Sequence, residues 1–155
     1  MFWGSFSGTQ RGPSLFWEKS WGTITAEKYS QKILPKVADK LQSDSSLVFM
    51  QNGAPSHTAR RTREEMSRYG IHPIDWPSFS PDLNPIESVW DQMKTYIDNH
   101  HPEAYACSQR SSNQLRDIVE EAWNSITSDR LDCLLHSMPT RCQAVIDADG
   151  GPIPF

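Results

Sequence analysis

The tetrapeptide Asn84-Pro85-Ile86-Glu87 constrains this chain more than any other stretch, because each residue suits a helix start. Asn is a favoured N-cap, Pro fits the first helical position, where its missing N–H is no loss, and Glu87 falls three residues after the cap. Ile86, Val89, Trp90, Met93 and Ile97 then recur at helical spacing. The pattern predicts a helix from Asn84 to about Tyr96 that stops near His100-His101-Pro102. Trp90 and Met93 are expected to be buried against a sheet, with Glu87 at the rim.

Upstream, the aromatic runs Phe2 to Phe6 and Ser14 to Trp17 flank the turn-rich Ser7 to Pro13 and predict a β-hairpin with a longer loop. Thr25 is the expected N-cap of a helix through Gln42, with Tyr29, Ile33, Val37 and Leu41 on one face. Pro35 must kink or split that helix. Leu47-Val48-Phe49-Met50-Gln51 is apolar and of strand length, which predicts a buried interior strand ended by Asn52-Gly53-Ala54-Pro55. Ser56 or Thr58 is the expected cap of a helix to Tyr69, closed by Gly70. Ile71 to Trp76 is a further short strand and Pro77 to Leu83 a loop. Past the Asn84 helix come a polar loop from Glu103 to Ser112, helices over 113–127 and 129–137, and a short helix over 139–148. Alternating strands and helices followed by helices alone describe an α/β layered domain over 1–100 with a helical C-terminal extension over 101–155.

The 155 residues carry 37% hydrophobic residues with 6 Trp, 6 Phe and 4 Tyr, enough for one modest core. No apolar run approaches membrane-span length, so no membrane partner is expected, and nothing at the start resembles a signal peptide. Cys107, Cys133 and Cys142 lack CxxC spacing and imply neither a disulfide framework nor a zinc site, which favours a reducing compartment. The net charge of −4 falls entirely on residues 114–155, which hold three basic and seven acidic residues. Charge alone therefore gives no nucleic-acid-binding domain.

Two places look chemical. One is the polar turn Gln51-Asn52-Gly53-Ala54-Pro55-Ser56-His57 at the end of an apolar strand; the other is Ser80-Pro81-Asp82-Leu83-Asn84-Pro85-Ile86-Glu87, a loop that delivers a carboxylate to a helix. Ligands of layered α/β domains gather at the carboxyl ends of strands, where carboxylates from separate elements bind Mg²⁺ or Mn²⁺. Each feature also has a structural reading. Glu87 can return to the Asn84 N–H in a capping box, Asn52-Gly53 is a common turn pair, and His57 can line or cap a helix. Arg60, Arg61, Arg63 and Arg68 alternate with Glu64 and Glu65, as on a solvated helix face, though a net +2 there also suits a phosphate backbone.

The block Val48 to Ala59, with its Gln-Asn-Gly-Ala-Pro-Ser-His core, resembles the region around the second catalytic aspartate of mariner-superfamily transposases. Trp76 to Trp90, with Ser-Pro-Asp-Leu-Asn-Pro-Ile-Glu, resembles the block ending in their third catalytic acid. Trp3-Gly4-Ser5-Phe6 and Ser137-Met138-Pro139-Thr140-Arg141 resemble the same family, so four blocks in order span nearly the whole chain. The resemblance implies an RNase H-like mixed sheet flanked by helices, with an Asp, Asp, Asp/Glu triad holding two Mg²⁺ or Mn²⁺ ions. It further implies cleavage and transfer of DNA strands at transposon ends, in the nucleus. Glu87 matches the third acid and Asn52 the place of the second, with 34 residues between them.

Asn52 departs from that pattern, since a neutral amide brings a carbonyl oxygen and no charge. The first acid is expected on a strand preceding Trp3, and the DNA-reading helix-turn-helix of the family before that. A sheet lacking its first strand has exposed edges and invites self-association. The expectation is a degenerate transposase catalytic domain, truncated and inactive, with weak metal binding at Glu87 and Asn52. Arg60 and Arg61 are its candidate DNA contacts, and His57, Asp82 and Asn84 its supporting residues. A non-catalytic module that binds DNA or a full-length transposase, a non-functional remnant, and an unrelated metal-dependent hydrolase using Glu87, Asp82 and His57 are the competing readings.

Overall fold

Gly8, with φ of +53°, makes the first turn tighter than its neighbourhood predicts. A two-residue hairpin turn needs positive φ at its first central position, and glycine adopts it freely. Strands β1 (Phe2–Ser7) and β2 (Gln10–Phe16) therefore continue almost to each other, and the expected long loop is absent. Arg11-Gly12-Pro13, read as turn residues, are part of β2. Proline is tolerated there because each strand of a two-stranded sheet is an edge.

The computed structural model describes residues 1–104 and 111–155. The chain divides into two compact units, residues 1–4 with 12–81 and residues 5–11 with 82–155, so the hairpin's base is assigned to the first and its tip to the second.

In the first unit, Pro35 splits the long helix as expected, into α1 (Ala26–Lys32) and α2 (Leu34–Ser43). Ile33 ends one and begins the other, because proline in the first turn of α2 has no N–H with which to continue α1. Thr25 caps α1 by accepting the Lys28 N–H at 3.3 Å. The core is the apolar stripe of these helices, Tyr29, Ile33, Leu34, Val37 and Ala38, closed by Trp17, Met66 and Ile71. A four-residue helix α3 (Pro55–Thr58) and α4 (Arg60–Arg68) stand in place of the single helix expected to Tyr69. Neither Ser56 nor Thr58 caps. Thr58 Oγ1 donates to the Ala54 carbonyl at 3.2 Å, and the extended Ala59 breaks the helix. Gly70, with φ of +67°, closes α4 as expected.

Two predicted strands do not form. Leu47 to Gln51 and Ile71 to Trp76 run without regular strand structure, and the Ile74 N–H donates to the Phe49 carbonyl at 2.9 Å. A strand is defined by a ladder, and among the described residues the only ladder is β1–β2. The expected interior strand is accordingly half-buried at best, with Val48 at 66% exposure.

In the second unit, α5 (Pro85–His100) begins under the Asn84 cap and ends at His101, as its sequence predicts. It packs on α6 (Ser112–Ser125) and α7 (Ser128–His136), with α8 (Met138–Asp147) beyond. Met93 is buried and Trp90 only half-buried, and Trp90 stacks on Trp123 of α6 at 5.8 Å. The apolar stripe of α5 is thus covered by helices rather than by a sheet. Ser111 and Gln114 form a capping box at α6, and Thr127 caps α7. Arg11, from the hairpin tip, donates to the Ile126 and Asn124 carbonyls at 2.6 and 3.3 Å, placing a cation where the end of α6 leaves carbonyls unpaired. The expected polar loop from Glu103 begins with a short 3₁₀ turn over Pro102–Ala104; its residues 105–110, Cys107 included, lie outside the described residues. Cys133 and Cys142 are exposed free thiols.

Two substitutions separate core from loop. Ile33→Ala, at a fully buried position, is expected to cost about 2–5 kcal/mol in urea unfolding. Val48→Ala should change stability by no more than about 0.5 kcal/mol, whereas an interior strand there would make the two losses comparable.

Candidate functional site

Asn52 is exposed, and its side chain is already engaged. Its Oδ1 accepts the Ala54 N–H at 3.3 Å, an Asx turn that folds the chain back before α3. Its own carbonyl accepts a hydrogen bond from His57 at 3.3 Å, in the tautomer that carries a proton on Nδ1. The His57 ring lies 4.3 Å from the ring of Tyr29. Tyr29, 1% exposed, donates its hydroxyl to Gln51 Oε1 at 2.8 Å, and Gln51 Nε2 donates to the His57 carbonyl at 3.3 Å. A buried phenol needs such a partner, and burial raises its pKa well above the usual tyrosine range. Burial also lowers the pKa of His57, partly offset by the hydrogen bond to Asn52. Tyr29, Gln51 and His57 thus clamp the Asn52 turn from the core side. Sequence reading found Asn52 and His57, with Gln51 in the same polar turn, and missed Tyr29, whose polar end is invisible in a hydrophobic stripe.

Glu87 sits in the first turn of α5, its N–H donating to the Asn84 carbonyl at 3.1 Å and its exposed carboxylate making no hydrogen bond or ion pair to a described residue. The alternative capping box is absent. Asn84, 4% exposed, caps alone by accepting the Ile86 N–H at 3.3 Å. Asp82 is fully employed: Oδ1 accepts the Leu83 N–H at 3.0 Å and Oδ2 the Ile153 N–H at 2.8 Å. Its carbonyl accepts from Arg141 Nη1 at 2.6 Å, and the same guanidinium reaches Ser88 Oγ at 3.1 Å and Ser137 Oγ at 2.9 Å. Arg141 is 3% exposed and lies against the Phe155 ring. Asp82, Asn84 and Arg141 therefore shape the loop that presents Glu87. The place of Arg141 in the Ser137-to-Arg141 block was the available signal for this role.

Arg60 and Arg61 are exposed and ion-paired, Arg60 with Glu64 at 3.4 Å and Arg61 with Glu27 at 3.1 Å. Exposed pairs of this kind are weak. Asn52, His57, Arg60 and Arg61 belong to the first unit, and Asp82, Asn84 and Glu87 to the second. Among the described residues no three His, Cys, Asp or Glu side chains converge as metal ligands. A neutral amide committed to its own turn and one isolated carboxylate do not fit the donor requirement of two divalent cations.

A family profile described as DDE superfamily endonuclease matches residues 6–106. The chain is 34% identical over 155 residues to the transposable element Tcb2 transposase of Caenorhabditis briggsae, covering 100% of this chain and 54% of that protein. It is 35% identical over 151 residues to the Tc1 transposase of Caenorhabditis elegans, covering 97% and 52%. It thus spans about half the length of the curated relatives it matches. Its fold is similar to the Mos1 transposase catalytic domain solved with raltegravir and Mn, with a TM-score of 0.79 at 17% identity over 99% of this chain and 76% of that one. It is also similar to Mos1 in a paired-end complex with the left transposon end, with a TM-score of 0.80 at 18% identity over 99% and 44%. These likenesses bear out the RNase H-like α/β class. No helix among the described residues is long and apolar enough to cross a membrane.

The clamp has a pH signature. The folded chain holds the His57 pKa below 6.5, so under acid conditions the unfolded chain binds the extra proton first. This contribution to stability is complete above the unfolded value and is lost as pH falls through 6.5 to the folded value. Ring NMR should show His57 titrating below 6.5, and His57→Gln should flatten that part of the stability–pH curve.

Proposed function

We propose, since this chain belongs to the DDE superfamily of endonucleases, that it is a transposase catalytic-domain scaffold that has kept its DNA partner and lost its strand chemistry. Its substrate class is transposon-end DNA, its family metal Mg²⁺ or Mn²⁺, and its compartment the nucleus. The relatives support this reading: each named one is a transposase, and Mos1 structures hold Mn or Mg in one set and transposon-end DNA in another.

The observation that carries the loss of chemistry is Asn52. The transposase resemblance puts the second metal-binding acid at this position, and Asn52 supplies no charge there. Two divalent ions bring four positive charges that anionic ligands must offset, and Asn52 with Glu87 contributes one negative charge. The Asx turn further commits the Asn52 oxygen to the Ala54 N–H. We assign Glu87 the role of the surviving acid, Asn52 that of the degenerate one, and Asp82, Asn84 and His57 structural support. What remains is a non-catalytic module that binds DNA or pairs with an active transposase.

Calorimetry with Mn²⁺ is expected to show no pair of ions bound at micromolar affinity, and at most one weak ion that Glu87→Ala abolishes. Supercoiled plasmid should stay intact with Mn²⁺ and the purified chain. Metal-dependent nicking that disappears in Glu87→Ala overturns the inactive reading. A gain of nicking in Asn52→Asp alone identifies the missing charge as its cause.

A further inference from the structure

Phe79 is 102% exposed and holds φ at +59°, one of two non-glycine residues with positive φ among those described. Both features are unfavourable for an aromatic residue. The left-handed region crowds Cβ against the backbone, and a bare ring gives up all the burial that phenylalanine normally gains. Strain of this kind persists where the surroundings enforce it, characteristically at ligand-contacting positions. Here the enforcement is local. Ser80 Oγ donates to the Ser78 carbonyl at 3.3 Å across Phe79, and Ser78 Oγ lies 3.8 Å from where a Cβ on Gly53 would stand. The loop that projects Phe79 is therefore seated against the Asn52-Gly53 turn. Charge favours an anionic partner on this unit, which holds nine basic against seven acidic residues, whereas the other holds six against twelve.

We infer that Phe79 is a stacking platform for an unpaired nucleobase of DNA at the Asn52 turn. This rests on the DNA reading above and goes beyond it by naming the contact. An aromatic face accepts any base, so the contact is sequence-tolerant and selects frayed or single-stranded ends over closed duplex. With the side chain fully exposed, both faces of the ring are open to a stacking partner.

The test is fluorescence anisotropy of the full chain with two oligonucleotides, a blunt duplex and a forked duplex carrying unpaired 2-aminopurine. Wild type is expected to prefer the fork and to quench its 2-aminopurine. Phe79→Ala and Phe79→Leu should each weaken fork binding roughly 5- to 100-fold, while Phe79→Trp retains it. Because the side chain is fully exposed, all three variants should melt with wild type. Unchanged fork binding in Phe79→Ala overturns the inference and leaves the DNA reading standing, and Leu acting as well as Trp overturns it as a stacking contact. A wild-type dimer that Phe79→Ala dissociates assigns the ring to a second copy and overturns it too. Failure of wild type to bind either oligonucleotide overturns the DNA reading and this contact together.

Discussion

The hydrogen bond from Tyr29 to Gln51 is the contact on which the first unit's polar end depends. Tyr29 brings an aromatic ring to the centre of the core and a hydroxyl that cannot be left unpaired there. Gln51 satisfies it and passes the constraint on to the His57 carbonyl, and the His57 ring returns to the Asn52 backbone. A core made of hydrophobic burial, which is non-directional, thereby gains one directional anchor. The anchor holds the Asn52 turn, and it does so through amide, phenol and imidazole groups. The Asn52 turn is therefore held without any charged group.

The second unit solves a similar problem with charge. Asp82 and Arg141 share no direct carboxylate–guanidinium contact; each is spent on other groups, Asp82 on two backbone N–H groups and Arg141 on a carbonyl and two hydroxyls. Distributing a buried cation over several fixed dipoles satisfies it without an ion pair. Glu87, in the first turn of the helix that follows, is left exposed.

The α5 start was legible because its determinants are local: a cap, a proline and an apolar stripe, all within a few residues. The same holds for Pro35, whose ring must interrupt a helix whatever surrounds it. The hairpin was legible for the same local reason, but the strands expected over 47–51 and 71–76 were misread, because a strand is decided by a partner elsewhere in the chain; Leu47 to Gln51 has strand composition and no ladder. Trp90 follows the same logic, since periodicity says that a face is covered but not by what. Asn52 and His57 in the first unit, and Glu87 in the second, lie in motifs a reader can see. Tyr29 reaches the Asn52 turn across 22 residues of sequence, and Arg141 reaches Asp82 across 59. No local pattern encodes either distance.

The bond between Asp82 and the Ile153 N–H closes a loop of 71 residues. During synthesis the chain emerges in order, at about 5–20 residues per second. The loop before α5 therefore exists for roughly 4–14 s before its second backbone donor has been made. The cap of α5 is made from residues two apart, but the carboxylate of Asp82 lacks its second donor until the helices that follow have been laid down. The loop before α5 thus holds its local cap early and its long-range anchor late. The order of translation, rather than the strength of any one contact, separates those two events.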